Sequence, residues 1–328
     1  AVMEAVAKIL THQRGDGGFG MWAESSESSP WLTAYALWGL GQAADRGVAV
    51  PKHALDSAAG YLTESMERIA KDPWERASIP FMLDVLAERG LPNAGRMSTW
   101  FEMRKQLPVF AQAHLLHALV IGRGARKDID TLATELEATL RLDGPVAKVV
   151  SGNGDHYAFM LDSDTRSSAL VLRALLAASP EHALGSKLAA GLLADRVDGT
   201  WRSTQETAWA LLALDQYRRA QEKGVPSFDA RVFLGQTEIA EHGFHGRSLT
   251  QATAAIPASQ IAKASGSLLG FSLSGSGKLF YQARLRYSKK EMPKTPLDRG
   301  FFVSKTLRPV KPEELSEVLG KAAKATGV

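Results

Sequence analysis

The chain has 328 residues, of which 45% are apolar and 23% charged, with a net charge of +4 and no cysteine. That length accommodates two domains of ordinary soluble composition, and the lack of cysteine excludes disulfides, thiolate zinc sites and cysteine nucleophiles within the chain. No basic tract is built to grip nucleic acid ("YSKKEMPK" reads as a solvated loop), and apolar runs such as "AWALLAL" fall far short of a membrane span.

From Ala1 to about Gly224, apolar residues recur at three- and four-residue steps, as in Leu32, Tyr35, Ala36 and Leu40. This is the period of amphipathic helices. Breakers such as "GDGG", "GVAVPK", "KDPW", "GLPNAG", "RLDG" and "RVDGTW" divide the run into about ten helices. They are expected near 1–13, 30–45, 51–68, 72–90, 95–107, 109–121, 127–142, 163–178, 182–195 and 203–222. After "KGVPSFDA" the pattern changes. "ARVFLGQTEIAEH" reads as a hairpin turning near Gly235. "SGSGK" reads as a second turn, before a strand with Leu279, Tyr281, Ala283, Leu285 and Tyr287 on one face. "RGFFVSKTLRPV" is expected as one more strand, and "PEELSEVLGKAAKA" as a short helix. Ala1 opens inside a helical pattern without initiator Met or N-cap, and both chain ends read as cuts from a longer polypeptide.

The helical part repeats itself. Asp16-Gly17-Gly18-Phe19 precedes "WLTAYALWGL", Asp143-Gly144 precedes "TRSSALVLRALL", and Asp198-Gly199-Thr200-Trp201 precedes "STQETAWALLAL". A small-residue step follows each turn: Thr33-Ala34, Ser168-Ala169 or Thr207-Ala208. Asp can cap such a turn, Gly supplies a positive φ, and the aromatic fills the gap between helical hairpins. Hairpins of this kind bury their apolar faces by stacking, as a solenoid or as a ring.

"GDGGFGMWAESSESSPWLTAYALWGL" resembles the thioester-containing domain of the α2-macroglobulins and complement proteins, and "STQETAWALLAL" resembles a late helix of that domain. "DSDTRSSALVLRALL" fits the bacterial branch. "GKLFYQARLRYS" is similar to the last strand pair of the companion CUB-like domain, and "DRGFFVSKTLRPV" to the start of the receptor-binding-like domain. The resemblance implies a mainly α fold, an α/α toroid of helical hairpins followed by a small β-sandwich. Its implied division is 1–224 for the toroid, 225–298 for the CUB-like domain and 299–328 for the start of a further domain. The family toroid has six hairpins, so about ten helices imply an incomplete ring lacking the first hairpin. In the family that hairpin carries a Cys-x-Glu-Gln thioester. Its absence here implies a thioester upstream of Ala1, or a member that has lost the motif. An incomplete ring would expose apolar faces of its end helices, chiefly Val2, Val6 and Ile9 of the first and Trp209, Leu212 and Leu214 of the last.

The implied activity is inhibition, not enzymatic turnover: a broad-spectrum endopeptidase inhibitor that traps proteases and captures them covalently. The implied partners are proteases and the remaining macroglobulin domains of the parent, with no nucleic acid and no direct membrane contact. No cofactor or metal is implied, and the implied location is periplasmic or cell-envelope. The family places a reactivity-setting residue in the loop that is "VVSGNGDHYAFMLDSD" here, which nominates Tyr157, His156 and Asn153. A histidine there can accept the acyl group or act as a base, and a tyrosine can shield the thioester. The plainer alternative is a loop anchor on the toroid rim.

Other residues carry two readings. Trp22, Trp31, Trp38, Trp201 and Trp209 are read as packing between hairpins rather than a ligand platform. His114 and His117 share a helix face at a metal-compatible spacing, but no third ligand is evident from sequence, so they are read as structural. Asp162 and Asp164 are read as caps of the next helix. The competing function class is an enzyme on the same ring. A terpenoid cyclase needs an Asp-x-Asp-Asp acid or an Asp-rich magnesium site, and neither is present. A glycosidase needs two carboxylates across a cleft; Asp155 with Asp162 or Glu206 are the only nominees.

Overall fold

The computed structural model describes residues 1–68, 72–150, 157, 160–221, 224–246, 251–264, 266–281 and 283–286. The chain divides into two compact units, Ala1–Gln282 and Ala283–Val328. The elements below belong to the first. The strand expected at "RGFFVSKTLRPV", the helix expected at "PEELSEVLGKAAKA" and Tyr287 lie outside the described residues.

The described helices are α1 (Val2–Leu10), α2 (Pro30–Ala44), α3 (Lys52–Arg68), α4 (Pro73–Glu88), α5 (Ala94–Glu102), α6 (Val109–Ile121), α7 (Arg126–Ala138), α8 (Asp164–Ala178), α9 (Gly185–Ala194), α10 (Thr204–Gln221) and the short α11 (Ala258–Lys263). Their starts follow local chemistry. Ser29 caps α2, Asn93 caps α5 and Ser163 caps α8, each accepting a backbone N–H two or three residues on. The expectation that Asp162 and Asp164 cap α8 is corrected. Ser163 is the cap, Asp164 opens the helix, and Asp162 accepts the hydroxyl of Ser167 at 2.8 Å.

The helices alternate in role. α2, α4, α6, α8 and α10 pack on one another in chain order, and α3, α5, α7 and α9 pack between successive members of that series from outside. The inner helices are buried nearly all round: every residue of α4 from Ala77 to Ala87 is buried, and so is every residue of α8 from Arg166 to Leu176 except Arg173. Such helices are apolar on all faces because neighbours cover all faces. Side-chain pairs fix their direction. Tyr35 meets Phe81 and Gln42 meets Glu88; Phe81 meets His114 and Glu88 meets His117. Residue numbers therefore rise together along neighbouring helices, and the inner layer is parallel. The ends of the series also meet. Trp38 of α2 stacks on Trp209 of α10 at 4.6 Å, and the Tyr35 hydroxyl lies 3.0 Å from Gln205 Oε1. This is an α/α toroid of helical hairpins.

That closure corrects part of the expected edge. Val2 is exposed, but Val6 is buried, Ile9 is half-buried and Trp209 is 1% exposed beneath Trp38. Leu212 and Leu214 are half-buried, and Leu211 is the exposed leucine of α10. Trp22 is a second correction: it is 69% exposed and packs in no hairpin, whereas Trp31, Trp201 and Trp209 are buried.

The Asp-Gly turns differ in kind. At the first, Asp16 Oδ1 accepts Gly18 N–H at 3.0 Å and the Ser28 hydroxyl at 2.8 Å, and Gly17 has φ 86°. Phe19 is buried there, its N–H donating to Thr33 Oγ1 at 2.8 Å. At the last, Asp198 and Gly199 both have positive φ, 50° and 85°, the paired left-handed backbone of a tight hairpin turn. Trp201 then donates its indole N–H to Leu192 O at 2.9 Å. The middle copy is not a helix boundary. α7 ends at Ala138, not at 142 as expected, and Leu140–Asp143 (β1) pairs antiparallel with Val146–Val149 (β2) around Gly144. Ala147 and Val149 are buried, and Ser168 Oγ accepts Val149 N–H at 2.9 Å. Thr207 and Ala208 do not repeat the buried small step, since Ala208 is exposed.

The hairpin expected around Gly235 is Ser227–Leu234 (β3) and Thr237–His245 (β4), and Leu269–Ser276 (β5) pairs on the other edge of β3. The strand expected after "SGSGK" is not found: 278–281 and 283–286 carry no strand. Gly275 and Gly277 do not build a hairpin turn. They let β5 pass Phe228, because a Cβ on Gly277 would lie 2.5 Å from that ring.

Candidate functional site

Polar and aromatic side chains from all five inner helices meet where the toroid has no further layer to bury. Near the helix N-termini, Arg166 of α8 is fully buried. Its Nη2 donates to the Tyr35 hydroxyl at 2.9 Å. Tyr35 and the indole N–H of Trp209 share Gln205 Oε1, at 3.0 and 3.2 Å. No carboxylate pairs with this guanidinium among the described residues. The rings of Phe110, Trp31 and Trp209 surround it at 5.3, 5.9 and 6.0 Å, supplying cation–π attraction. Its Nε and Nη1 have no hydrogen-bond partner, and neither has His114 Nε2.

One to two turns further along lies an ionic cluster. Asp84 of α4, 3% exposed, accepts His114 Nδ1 at 2.8 Å on one oxygen and His117 Nδ1 at 2.6 Å on the other. Glu88, one helical turn on, lies 3.8 Å from His117 Nδ1 and accepts Arg173 Nη2 at 3.1 Å and Gln42 Nε2 at 3.3 Å. Burial alone pushes the Asp84 carboxyl up, but the charge and hydrogen bonds of His117 and His114 outweigh it and hold the group well below its ordinary value. Glu88 is raised, by burial first and by Asp84 second, against Arg173 and His117. Burial lowers His114 to about 4 against the pull of Asp84, so this imidazole is neutral at physiological pH.

His114 and His117 were visible in the sequence as a pair, but the carboxylates they meet were not. Asp84 and Glu88 stand out only as an acidic i, i+4 pair inside the apolar run "ASIPFMLDVLAE". Arg166 and Arg173 stand seven residues apart, on one face of "DTRSSALVLRALL". Charges on the apolar face of a helix are the signal that would have found all four.

Of the loop nominees, Asn153 and His156 lie outside the described residues, as does Asp155. Tyr157 is 9% exposed, with its ring edge-on to Phe110 at 5.5 Å. Its carbonyl accepts Met160 N–H at 2.9 Å, which seats the loop ahead of α8. Burial first, and Asp162 second, raise its hydroxyl, with Arg76 opposing. The Phe110 ring thus contacts both Tyr157 and the Arg166 guanidinium. Glu206, a nominee for a glycosidase pair, accepts Arg202 N–H at 3.0 Å at the start of α10. Ile9, Phe19, Met21, Leu32, Tyr35 and Ala36 line an open groove of about 380 Å³ beside α1.

Comparison with known proteins places the fold. Residues 1–68 match the family model described as the A-macroglobulin TED domain. The chain is 26% identical over 293 residues to the alpha-2-macroglobulin homolog of Nostoc sp., an overlap of 86% of this chain and 15% of that protein. Among solved structures, Salmonella alpha-2-macroglobulin reacted with methylamine matches with TM-score 0.53 and 24% identity, covering 73% of this chain and 15% of that one. Escherichia coli alpha-2-macroglobulin activated by porcine elastase matches with TM-score 0.59 and 21% identity, over 75% of this chain and 21% of that one. The chain therefore spans roughly one seventh of the Nostoc relative's length, as its 15% share states.

Proposed function

We propose that this chain, whose relatives are the bacterial alpha-2-macroglobulins, is the thioester-domain portion of a protease-trapping inhibitor and acts within a longer parent protein. The observation that carries the reading is the similarity to the Nostoc homolog over 86% of the chain, to which the family match at the Asp16-Gly17-Gly18-Phe19 turn is aligned in sense. The proposed division is 1–224 for the toroid, 225–298 for a CUB-like domain and 299–328 for the start of a receptor-binding-like domain. The proposed partners are proteases and the parent's macroglobulin domains. The proposed location is the periplasm or cell envelope, and no described helix is long and apolar enough to cross a membrane.

Covalent capture needs an acyl group that stays dry until triggered. The chain has no cysteine, so the proposed thioester belongs to another segment of the parent. We place Tyr157 over it as a shield, with His156 and Asn153 as neighbours in the same loop. A tyrosine ring held edge-on to Phe110 excludes water from the group it covers.

The test is incubation of the parent with trypsin, with and without methylamine pretreatment. The expected result is a protease adduct that survives denaturing electrophoresis and disappears after methylamine. Absence of any such adduct overturns covalent capture. In the parent, Tyr157→Gly is expected to speed the reaction with methylamine; an unchanged rate removes the shielding role.

A further inference from the structure

We propose that Asp84, Glu88 and His117 form a binding site for one divalent transition-metal ion of the zinc class at the centre of the toroid. The three side chains come from two adjacent inner helices, and their donor atoms lie within 4.8 Å of one another. His117 Nδ1 is 2.6 Å from Asp84 Oδ1 and 3.8 Å from Glu88 Oε1. Ligands on a tetrahedral ion with bonds of about 2.0–2.1 Å stand roughly 3.3 Å apart. The two observed separations bracket that value.

The surroundings favour a cation. The buried Asp84 and the partly buried Glu88 face one neighbouring guanidinium, that of Arg173 on Glu88. A further arrangement suits a metal. His114 Nδ1 binds Asp84 Oδ2 and fixes the plane of the carboxylate, while Oδ1 faces His117, the ligand it would share the ion with. Gln42 holds Glu88 through Oε2 in the same way, and Arg173 is the present partner of Oε1. Outer partners of this sort orient ligands in metal sites. Coordination through Nδ1 exchanges the His117 hydrogen bond to Asp84 for the metal and leaves the ring proton on Nε2. One imidazole and two carboxylates suit zinc, cobalt or manganese over calcium or magnesium, which take all-oxygen shells.

The test uses the full 328-residue chain, stripped with EDTA and dialysed, and titrated with Co²⁺. The expected result is one ion per chain with a visible d–d band. Glu88→Gln and His117→Asn should each weaken binding by at least about tenfold, the scale on which even outer-sphere partners act. His53→Asn, at an exposed histidine, should leave it unchanged. Circular dichroism confirms that each variant is folded. Arg173→Met removes the cation that competes for Glu88 and should tighten binding, which a damaged fold would not do. No stoichiometric binding overturns the proposal, and so does binding that persists in Glu88→Gln or fails to tighten in folded Arg173→Met.

Discussion

At the scale of single residues, the ring centre places a neutral histidine, two carboxylates and two guanidiniums where most helical proteins place leucine. Each is tolerated because a specific partner offsets its burial, so each has a distinct failure. Asp84→Leu leaves two buried imidazole N–H groups without their acceptor. The expected loss is about 3 kcal/mol, at 1–3 kcal/mol per buried orphan, read from urea unfolding at constant slope. His114 gives a pH signature. Its folded value, about 4, lies below the ordinary 6.5, so the unfolded chain takes up a proton first. Stability is therefore full above pH 6.5 and falls as the pH drops towards 4, by up to about 3 kcal/mol. Glu88 acts in the opposite sense, since its raised carboxyl takes up a proton in the fold before the unfolded chain does. Asp84, held low, adds a further loss only below 3.8. His114→Phe should abolish the loss between pH 6.5 and 4 in melting curves recorded in EDTA; a wild-type-like slope in that variant assigns the effect elsewhere. The histidine pair was legible in the sequence because both members share one helix. Asp84 was not, because its meeting with His114 joins residues thirty apart on neighbouring helices, and periodicity carries no information about which helices become neighbours.

At the scale of elements, the helices were legible because three- and four-residue apolar steps persist over whole segments, with Ser, Asn and Pro marking their starts. What misled was the equivalence of Asp-Gly turns. The same dipeptide serves a loop at Asp16, a hairpin at Asp143 and a tight turn at Asp198, and only long-range packing tells them apart. The β1–β2 hairpin exists because α9 offers a surface on which Ala147 and Val149 are buried. Gly191 of α9 makes that approach possible, since a Cβ there would lie 2.2 Å from Ala147 O. Gly191→Ala should destabilise by about 1–3 kcal/mol through overpacking. Gly39→Ala, in α2 with open space around its Cβ position, should stabilise by about 0.5–1 kcal/mol. Paired thermal melts of the two variants check the signs, and a stabilised Gly191→Ala would show that β2 does not seat on α9.

At the scale of the molecule, parallel inner helices pack in a ring around a charged, buried centre. On the proposed reading, the toroid holds a reactive acyl group of the parent dry beside Tyr157. The chain by itself, having no cysteine, is expected to form no covalent adduct with trypsin. An adduct detected by mass spectrometry would refute the assignment of the reactive group to another segment of the parent. Trapping also differs from active-site inhibition in which substrates it blocks, because a caged protease keeps its catalytic residues but loses access to large molecules. The most direct measurement is therefore the activity of a protease pre-incubated with the parent protein, on a folded protein substrate and on a small chromogenic peptide in parallel. Loss of cleavage of the large substrate with retention of the small one is the predicted result. Retention of both, or equal loss of both, would contradict the trap.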